Sequence, residues 1–428
     1  MFPFVSHNGR QVNMARFWFV SAPLYSHTDW GGFLKTAQAL KSAGHDVLWI
    51  SGESLAGAMR KAGIPFRAIR ETGWLWPPPP PPDLTTIPPQ EAVMIRYRRA
   101  LDTWMSEDIV AEATRALIEL ADELTPPDVL VADPFLSAAA LAAEAMRTRF
   151  AVAGWPAQGD LSADALFPVQ RDLGSDSVAR LRRLLETFGL NGDNFSRGST
   201  PSIISPHLHL CYFVGRWYSA EMDFLLPQNL FVGGHAQTPT DAPPEWLAAI
   251  PEDEPLAVIT LGTTFTGDLG FFSWGAQAAS RAGLLPVVAV GYNPIAPEKK
   301  QELIRALPQG TRLLNFVPFD HVLPRTRLMI HHGGMGTTHY AVVHGIPQIV
   351  VPHAADQRVQ ARRVAQAKVG LNLSAHDVRQ GKLWEGAQAL MNYDNVRQAA
   401  RTLAEEMAGA GGAVRAARAL ADLATRAI

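Results

Sequence analysis

Residues 327–357 read RLMIHHGGMGTTHYAVVHGIPQIVVPHAADQ. An apolar run, Leu328 to Ile330, meets His331-His332, followed by Gly333, Gly334 and Gly336, with Thr337 and Thr338 behind them. A helical stretch from Thr338 to His344 stops at Gly345. Pro347 follows, and a second apolar run from Ile349 to Val351 leads to Asp356-Gln357. The order is strand, glycine turn, helix, strand. Glycines let backbone N–H groups approach an anion, and a helix N-terminus adds partial positive charge. Threonine hydroxyls can donate further hydrogen bonds. The stretch therefore reads as a diphosphate cradle, the plainer alternative being a tight strand-to-helix turn with no ligand.

Working outward, the cradle sits late in a βα series. Strands are expected at Leu256–Leu261, Pro286–Val290, Arg312–Phe316, Leu328–His331 and Gln348–Val351, with helices between them. An earlier series has the same alternation. It has strands at Ala15–Ala22, Asp46–Ser51, Phe66–Ile69, Asp128–Ala132, Phe150–Ala153, Leu208–Val214 and Asn229–Val232. Alternation of this kind implies a parallel sheet covered by helices. Between the two series, residues 233–255 are rich in Pro, Gly and acid, as linkers are. The expected organisation is an α/β chain with a first domain over 14–235, a linker over 236–255, a second domain over 256–395 and C-terminal helices over 396–428. Ligands in open α/β sheets bind at the carboxyl ends of strands, so two such sheets across a linker would make a cleft. One stretch breaks the pattern: Trp74-Leu75-Trp76 runs into Pro77 to Pro82, a stiff extended loop.

Composition narrows the function classes. The chain has 428 residues, 47% hydrophobic and 18% charged, with a net charge of −2. That suits a globular protein with a generous core. Nothing basic points to nucleic acid, and no polybasic run points to anionic lipid. Cys211 is the single cysteine, so no internal disulfide framework can form and a cytoplasmic location fits best. Residues 1–13 contain no continuous apolar core of the signal-peptide kind. No stretch reaches the roughly 18 apolar residues of a membrane span, which leaves only peripheral membrane contact open.

Residues 311–372 resemble the nucleotide-sugar signature of family 1 (UDP-glycosyltransferase-like) glycosyltransferases in their bacterial form. The matching pieces are His331-His332-Gly333-Gly334-Met335-Gly336-Thr337-Thr338, then Gly345-Ile346-Pro347-Gln348, then Asp356-Gln357. The resemblance implies the GT-B fold, two Rossmann-like domains around a cleft. It implies that His331 and the backbone of Gly333, Gly334, Gly336 and Thr337 hold the donor diphosphate. Gly262, Thr263 and Thr264 resemble a second phosphate loop. Asp356 and Gln357 would hydrogen-bond hydroxyls of the donor sugar, as a carboxylate and an amide are suited to do. Asp356 could instead cap a helix beginning near Arg358. Phe316 and Val317 fall where plant relatives stack the base, and His339 where they place a ribose glutamate. Those substitutions leave uridine and thymidine diphosphate both open.

The catalytic end is expected in the first domain. His27 follows the first strand directly, in the place of the family's general base, with Ser26 where the family usually has glycine. A neutral imidazole can take a proton at neutral pH. It needs a carboxylate to fix its tautomer, and Asp133 ends a later strand of the same sheet. Asp29 is a second, weaker partner, and Asp133 could simply cap the helix after it. The implied reaction is inverting transfer of a hexose from a UDP- or TDP-sugar to a hydroxyl of a lipophilic small-molecule acceptor. Trp74, Trp76 and Trp155 are candidate acceptor contacts, with Phe213, Trp217 and Tyr218 as a further aromatic patch. No cofactor beyond the sugar nucleotide is expected. There is no Asp-x-Asp pair to hold a divalent metal, and the five histidines from His331 to His353 lack the spacing of a zinc site. Two rivals remain: a nucleotide-sugar epimerase of the same fold, and a non-catalytic nucleotide-sugar-binding partner protein.

Overall fold

The computed structural model describes residues 14–28, 31–80, 82–83, 86–160, 168–262, 269–291, 295–353 and 355–426. The chain forms two compact units. One comprises Met1–Tyr212, Asp223–Val232 and Ala413–Ile428; the other comprises Phe213–Met222 and Gly233–Gly412.

The first unit holds a seven-stranded sheet of β1 (Arg16–Val20), β2 (Asp46–Ser51), β3 (Phe66–Ala68), β4 (Val129–Ala132), β5 (Arg149–Ala153), β6 (Leu208–Cys211) and β7 (Asn229–Phe231). The order is β3-β2-β1-β4-β5-β6-β7, and every pairing is parallel. Strands buried on both faces read as continuous apolar runs, which is why β1 is RFWFV and β4 is VLVA. Helices cover the sheet. Those at Glu107–Glu123 and Ser137–Ala145 pack Leu117, Leu120 and Leu141 against Trp18, Leu130 and Val152.

The second unit holds a six-stranded parallel sheet. Its strands are β8 (Leu256–Thr260), β9 (Leu285–Ala289), β10 (Arg312–Leu314), β11 (Thr326–His331), β12 (Gln348–Val350) and β13 (Gly370–Asn372), in the order β10-β9-β8-β11-β12-β13. One face packs Ile259, Val288 and Ile330 under the helices Leu269–Arg281 and Lys382–Asn392. The other buries Val258, Val287 and Met329 with Val317 and Ile346.

The strand series expected from the sequence is present, with small differences at the ends. Periodicity gave no sign of β13, a three-residue strand whose first residue is Gly370. A Cβ there would lie 2.0 Å from the Gln348 carbonyl oxygen, so only glycine fits against the neighbouring strand. Strand β6 stops at Cys211 rather than Val214 because the chain turns there into a 3₁₀ segment, Gly215–Phe224. The C-terminal helices divide: Asp394–Gly409 lies in the second unit, whereas Ala413 onward lies in the first. Among the described residues no helix is long and apolar enough to cross a membrane.

Candidate active site

The first unit brings His27 and Asp133 together. Strands β1 and β4 pair in register, Val20 opposite Ala132. The residues just past their ends therefore emerge side by side at the carboxyl edge of the sheet. His27 lies in the one-turn helix Tyr25–His27, and Asp133 directly follows β4. The Asp133 carboxylate is wholly buried and has three partners. The Ala22 N–H donates to Oδ2 at 3.0 Å, the Phe135 N–H donates to Oδ1 at 2.9 Å, and His27 Nδ1 lies 3.2 Å from Oδ2. A carboxylate ringed by donors accepts from Nδ1–H, which leaves the imidazole lone pair on Nε2. The bond to Phe135 is also the local turn that the capping alternative describes, so Asp133 does both jobs. Asp29 lies outside the described residues.

Aromatic rings wall the dyad. Trp74 lies 4.9 Å from the His27 ring and Phe135 6.1 Å from it; Trp155 in turn meets Phe135 edge-on at 5.7 Å. Trp74 and Trp155 thus gather around the dyad through Phe135, which sequence reasoning passed over. Its only signal was its place two residues after the aspartate. Trp76 is exposed. The Trp155 carbonyl accepts from Nδ1 of His209, a ring whose pKa is lowered to about 4 by burial. The Phe213, Trp217 and Tyr218 patch, expected in the first domain, belongs instead to the second unit, because the chain leaves the first one after Tyr212.

The second unit builds the cradle from three adjacent strand ends, since Thr260, His331 and Val350 are neighbours in the sheet. The helix after β11 runs Met335–Val343 from an N-cap at Gly334, so the N–H groups of Met335, Gly336 and Thr337 begin it. Thr338 turns its hydroxyl back onto the Gly334 carbonyl, leaving Thr337 as the half-exposed hydroxyl of the pair. Gly333 has φ +91, and a Cβ there would stand 2.7 Å from Val350 and 2.9 Å from the Gln357 carbonyl. Only glycine holds this turn.

His331 braces the turn rather than charging it. Its Nδ1 accepts from the Gly333 N–H at 3.1 Å, so its Nε2–H donates to Gln348 Oε1 at 2.9 Å. Burial lowers its pKa to about 4, and the ring is neutral at pH 7. With its histidine neutral, the turn offers an anion only backbone N–H groups and the helix terminus. His332, which the sequence reading left without a role, packs where Cβ atoms on Gly262 and Gly334 would be, 2.8 and 2.5 Å from its ring. Burial and the neighbouring His331 and His353 hold it neutral too, near 3. Gly262 has φ +77 and donates its N–H to Thr260 Oγ1. Thr263 and Thr264 lie outside the described residues.

Asp356 and Gln357 open the helix Ala355–Gln366. Because the helix starts at Ala355, Asp356 lies inside its first turn rather than capping it, where an acid favours the helix dipole. Gln357 Oε1 accepts from the His353 N–H at 2.8 Å, which presents its amide –NH₂ as the donor side. Phe316 is 50% exposed just past β10, whereas the Val317 side chain is core and only its backbone can meet a base. His339 is buried, its ring edge-on to Phe213 at 5.2 Å.

Comparison with known proteins agrees with this geometry. Residues 290–423 match the family described as the C-terminal domain of erythromycin biosynthesis protein CIII-like proteins. The NDP-glycosyltransferase YjiC of Bacillus subtilis is 30% identical over 166 residues, 39% of this chain and 41% of that protein. The match therefore spans about two fifths of that relative. Erythronolide mycarosyltransferase of Saccharopolyspora erythraea is 26% identical over 382 residues, 82% of this chain and 85% of that one. Among solved structures, the glycotransferase of kitacinnamycin superposes with a TM-score of 0.74 at 21% identity, covering 96% of this chain and 99% of that one. The spinosyn rhamnosyltransferase SpnG, solved with thymidine diphosphate, gives 0.65 at 22% identity over 95% of this chain and 99% of that one. The two parallel-sheet units have the GT-B fold, and residues 290–423 are similar to the C-terminal domain of erythromycin biosynthesis protein CIII-like proteins.

Proposed function

We propose that the chain is an inverting, metal-independent glycosyltransferase. It moves a hexose from a thymidine or uridine diphosphate sugar to a hydroxyl of a small, largely apolar acceptor of the natural-product kind. The observation that carries this reading is the His27–Asp133 dyad at 3.2 Å, set at a strand end among Trp74, Phe135 and Trp155. A buried carboxylate that fixes the tautomer of a histidine is the arrangement a general base needs. The aromatic wall suits a lipophilic alcohol or phenol.

In this mechanism Nε2 of His27 takes the proton of the acceptor hydroxyl as its oxygen attacks the anomeric carbon. The bond from that carbon to the β-phosphate oxygen breaks, and the electron pair leaves with the nucleoside diphosphate. The new imidazolium is stabilised by Asp133 and later releases its proton to water. Charge gathering on the departing diphosphate meets the N–H groups at the start of helix Met335–Val343, an electrostatic site that needs no reorganisation. Asp356 and Gln357 hold the sugar hydroxyls, and Phe316 stacks on the base. Thymidine is favoured as the base because SpnG, of the same fold, was solved with thymidine diphosphate.

The test is a panel of TDP- and UDP-hexoses with apolar alcohols and phenols, run in excess chelator, with products found by mass spectrometry and the sugar configuration read by NMR. Glycoside formation with inverted anomeric configuration supports the reading. Conversion of the donor alone to an epimer, or binding of donor with no product for any acceptor, favours one of the two rivals.

A further inference from the structure

The helix Ala355–Gln366 is an unusual one to bury. Its sequence, ADQRVQARRVAQ, is mostly polar, yet Gln360 is 1% and Arg363 3% exposed. Buried polar groups must be matched by specific partners, and a cation most of all. The partners come from far away in sequence. The chain leaves the first unit after Tyr212, spends residues 213–222 in the second, and returns at Asp223. Within that excursion Glu221 accepts from Arg363 Nε at 3.1 Å, and the ring of Tyr218 lies 4.5 Å under the Arg363 guanidinium. The Trp217 indole N–H donates to Gln360 Oε1 at 3.1 Å. Trp217 itself stacks on Phe213, 4.8 Å apart and 10° from parallel.

Asp356, Gln360 and Arg363 follow each other at four and three residues, so they lie along one face of the helix. A side-chain tip about 6 Å from a helix axis moves about 2 Å when the helix turns by roughly 20° about that axis. Misplacement by about 1 Å can cost about 100-fold in a positioned site. Generic apolar packing does not fix such a rotation, whereas an ion pair, a cation–π contact and an indole hydrogen bond together do.

We propose that the excursion Phe213–Met222 is a latch that sets the rotation of helix Ala355–Gln366 and so aims Asp356 and Gln357 at the donor-sugar hydroxyls. Glu221 and Arg363 are positioning residues that touch no substrate. Sugar recognition in this chain thus depends on a segment embedded in the sequence of the first domain. The inference rests on the donor-sugar reading of Asp356 and Gln357.

The experiment measures two affinities by calorimetry, for TDP-glucose and for TDP alone, in the wild type, Glu221→Gln, Arg363→Lys and the double variant. The ratio of the two affinities reports the sugar contacts and needs no turnover. Each single variant is expected to lose most of the sugar's contribution, about tenfold in the ratio, with TDP affinity unchanged within twofold. The double variant should be no worse than either single one. An unchanged ratio in both single variants overturns the latch, and an equal loss for TDP and TDP-glucose overturns it in favour of general structural damage. A wild type that gains nothing from the sugar overturns the donor-sugar reading, and the latch with it. UDP-glucose and UDP serve as the second pair where TDP binds weakly.

Discussion

Replacing Asp133 by asparagine keeps the shape of the dyad and changes only its chemistry. In the native site both carboxylate oxygens accept: Oδ1 from the Phe135 N–H, and Oδ2 from the Ala22 N–H and His27 Nδ1. Asparagine has one acceptor and one donor end. Whichever way it turns, an –NH₂ faces a backbone N–H in a fully buried place, at a cost of about 1–3 kcal/mol. If the –NH₂ takes the Oδ2 position, it also donates to His27 Nδ1, which forces the proton onto Nε2 and removes the lone pair that the mechanism uses. The lost charge matters too. A carboxylate 3.2 Å from an imidazolium is worth about 5 kcal/mol at an effective dielectric near 20. General-base catalysis is commonly worth about 10²–10⁴-fold, so kcat should fall about 10³-fold in Asp133→Asn. The thermal midpoint should fall by several degrees, while donor affinity holds, because the cradle lies in the other unit. The assay is steady-state glycoside formation by chromatography, with the midpoint and donor titration as controls on folding. The double variant with His27→Ala should be no slower than His27→Ala alone, since the two residues act as one device. A variant that keeps more than about a tenth of wild-type kcat would refute the reasoning.

Three further outcomes are expected. Burial lowers the pKa of His331 and of His209 to about 4, so the unfolded chain takes up their protons first. The stability of these neutral rings is complete above about pH 6.5 and is lost as pH falls toward 4, on the order of 3 kcal/mol for each; denaturant unfolding at pH 7.5 and pH 5 should show it, and equal stabilities would contradict it. Gly333→Ala drives a Cβ into Val350 and the Gln357 carbonyl at a positive φ. It should cost at least about 2 kcal/mol and weaken TDP binding, which thermal melts with and without TDP will show. Phe316→Ala removes a half-exposed ring, so stability should change by less than about 0.5 kcal/mol, while TDP affinity falls about tenfold if the ring stacks on the base. Unaltered TDP affinity would remove Phe316 from the site.

Much of the architecture was legible because parallel strands buried on both faces leave continuous apolar runs, and glycine turns punctuate them. Runs such as FWFV and VLVA, set between turn signals and helical stretches, read as interior strands, and Gly333 is forced by its turn. The dyad was legible for a topological reason: β1 and β4 are adjacent, so residues just past their ends meet. What stayed hidden depends on three-dimensional context. That His331 uses both ring nitrogens within the protein cannot be read from a histidine doublet. Nor can the role of His332, whose space is defined by the absence of side chains on Gly262 and Gly334. The short strand β13 has no period long enough to detect. Assigning Phe213, Trp217 and Tyr218 to the first domain failed because sequence order was taken for spatial order. The chain crosses between its units at Tyr212 and returns ten residues later, and no composition shift marks the crossing.

The central claim is that His27, held by Asp133, takes the acceptor proton, while other residues hold the donor. The most direct test is turnover of His27→Ala measured beside its donor affinity by calorimetry on the same preparation. The account predicts at least about a 100-fold loss of glycoside formation with the dissociation constant for the TDP-sugar unchanged within twofold. A His27→Ala chain that binds donor normally and turns over at the wild-type rate would contradict it.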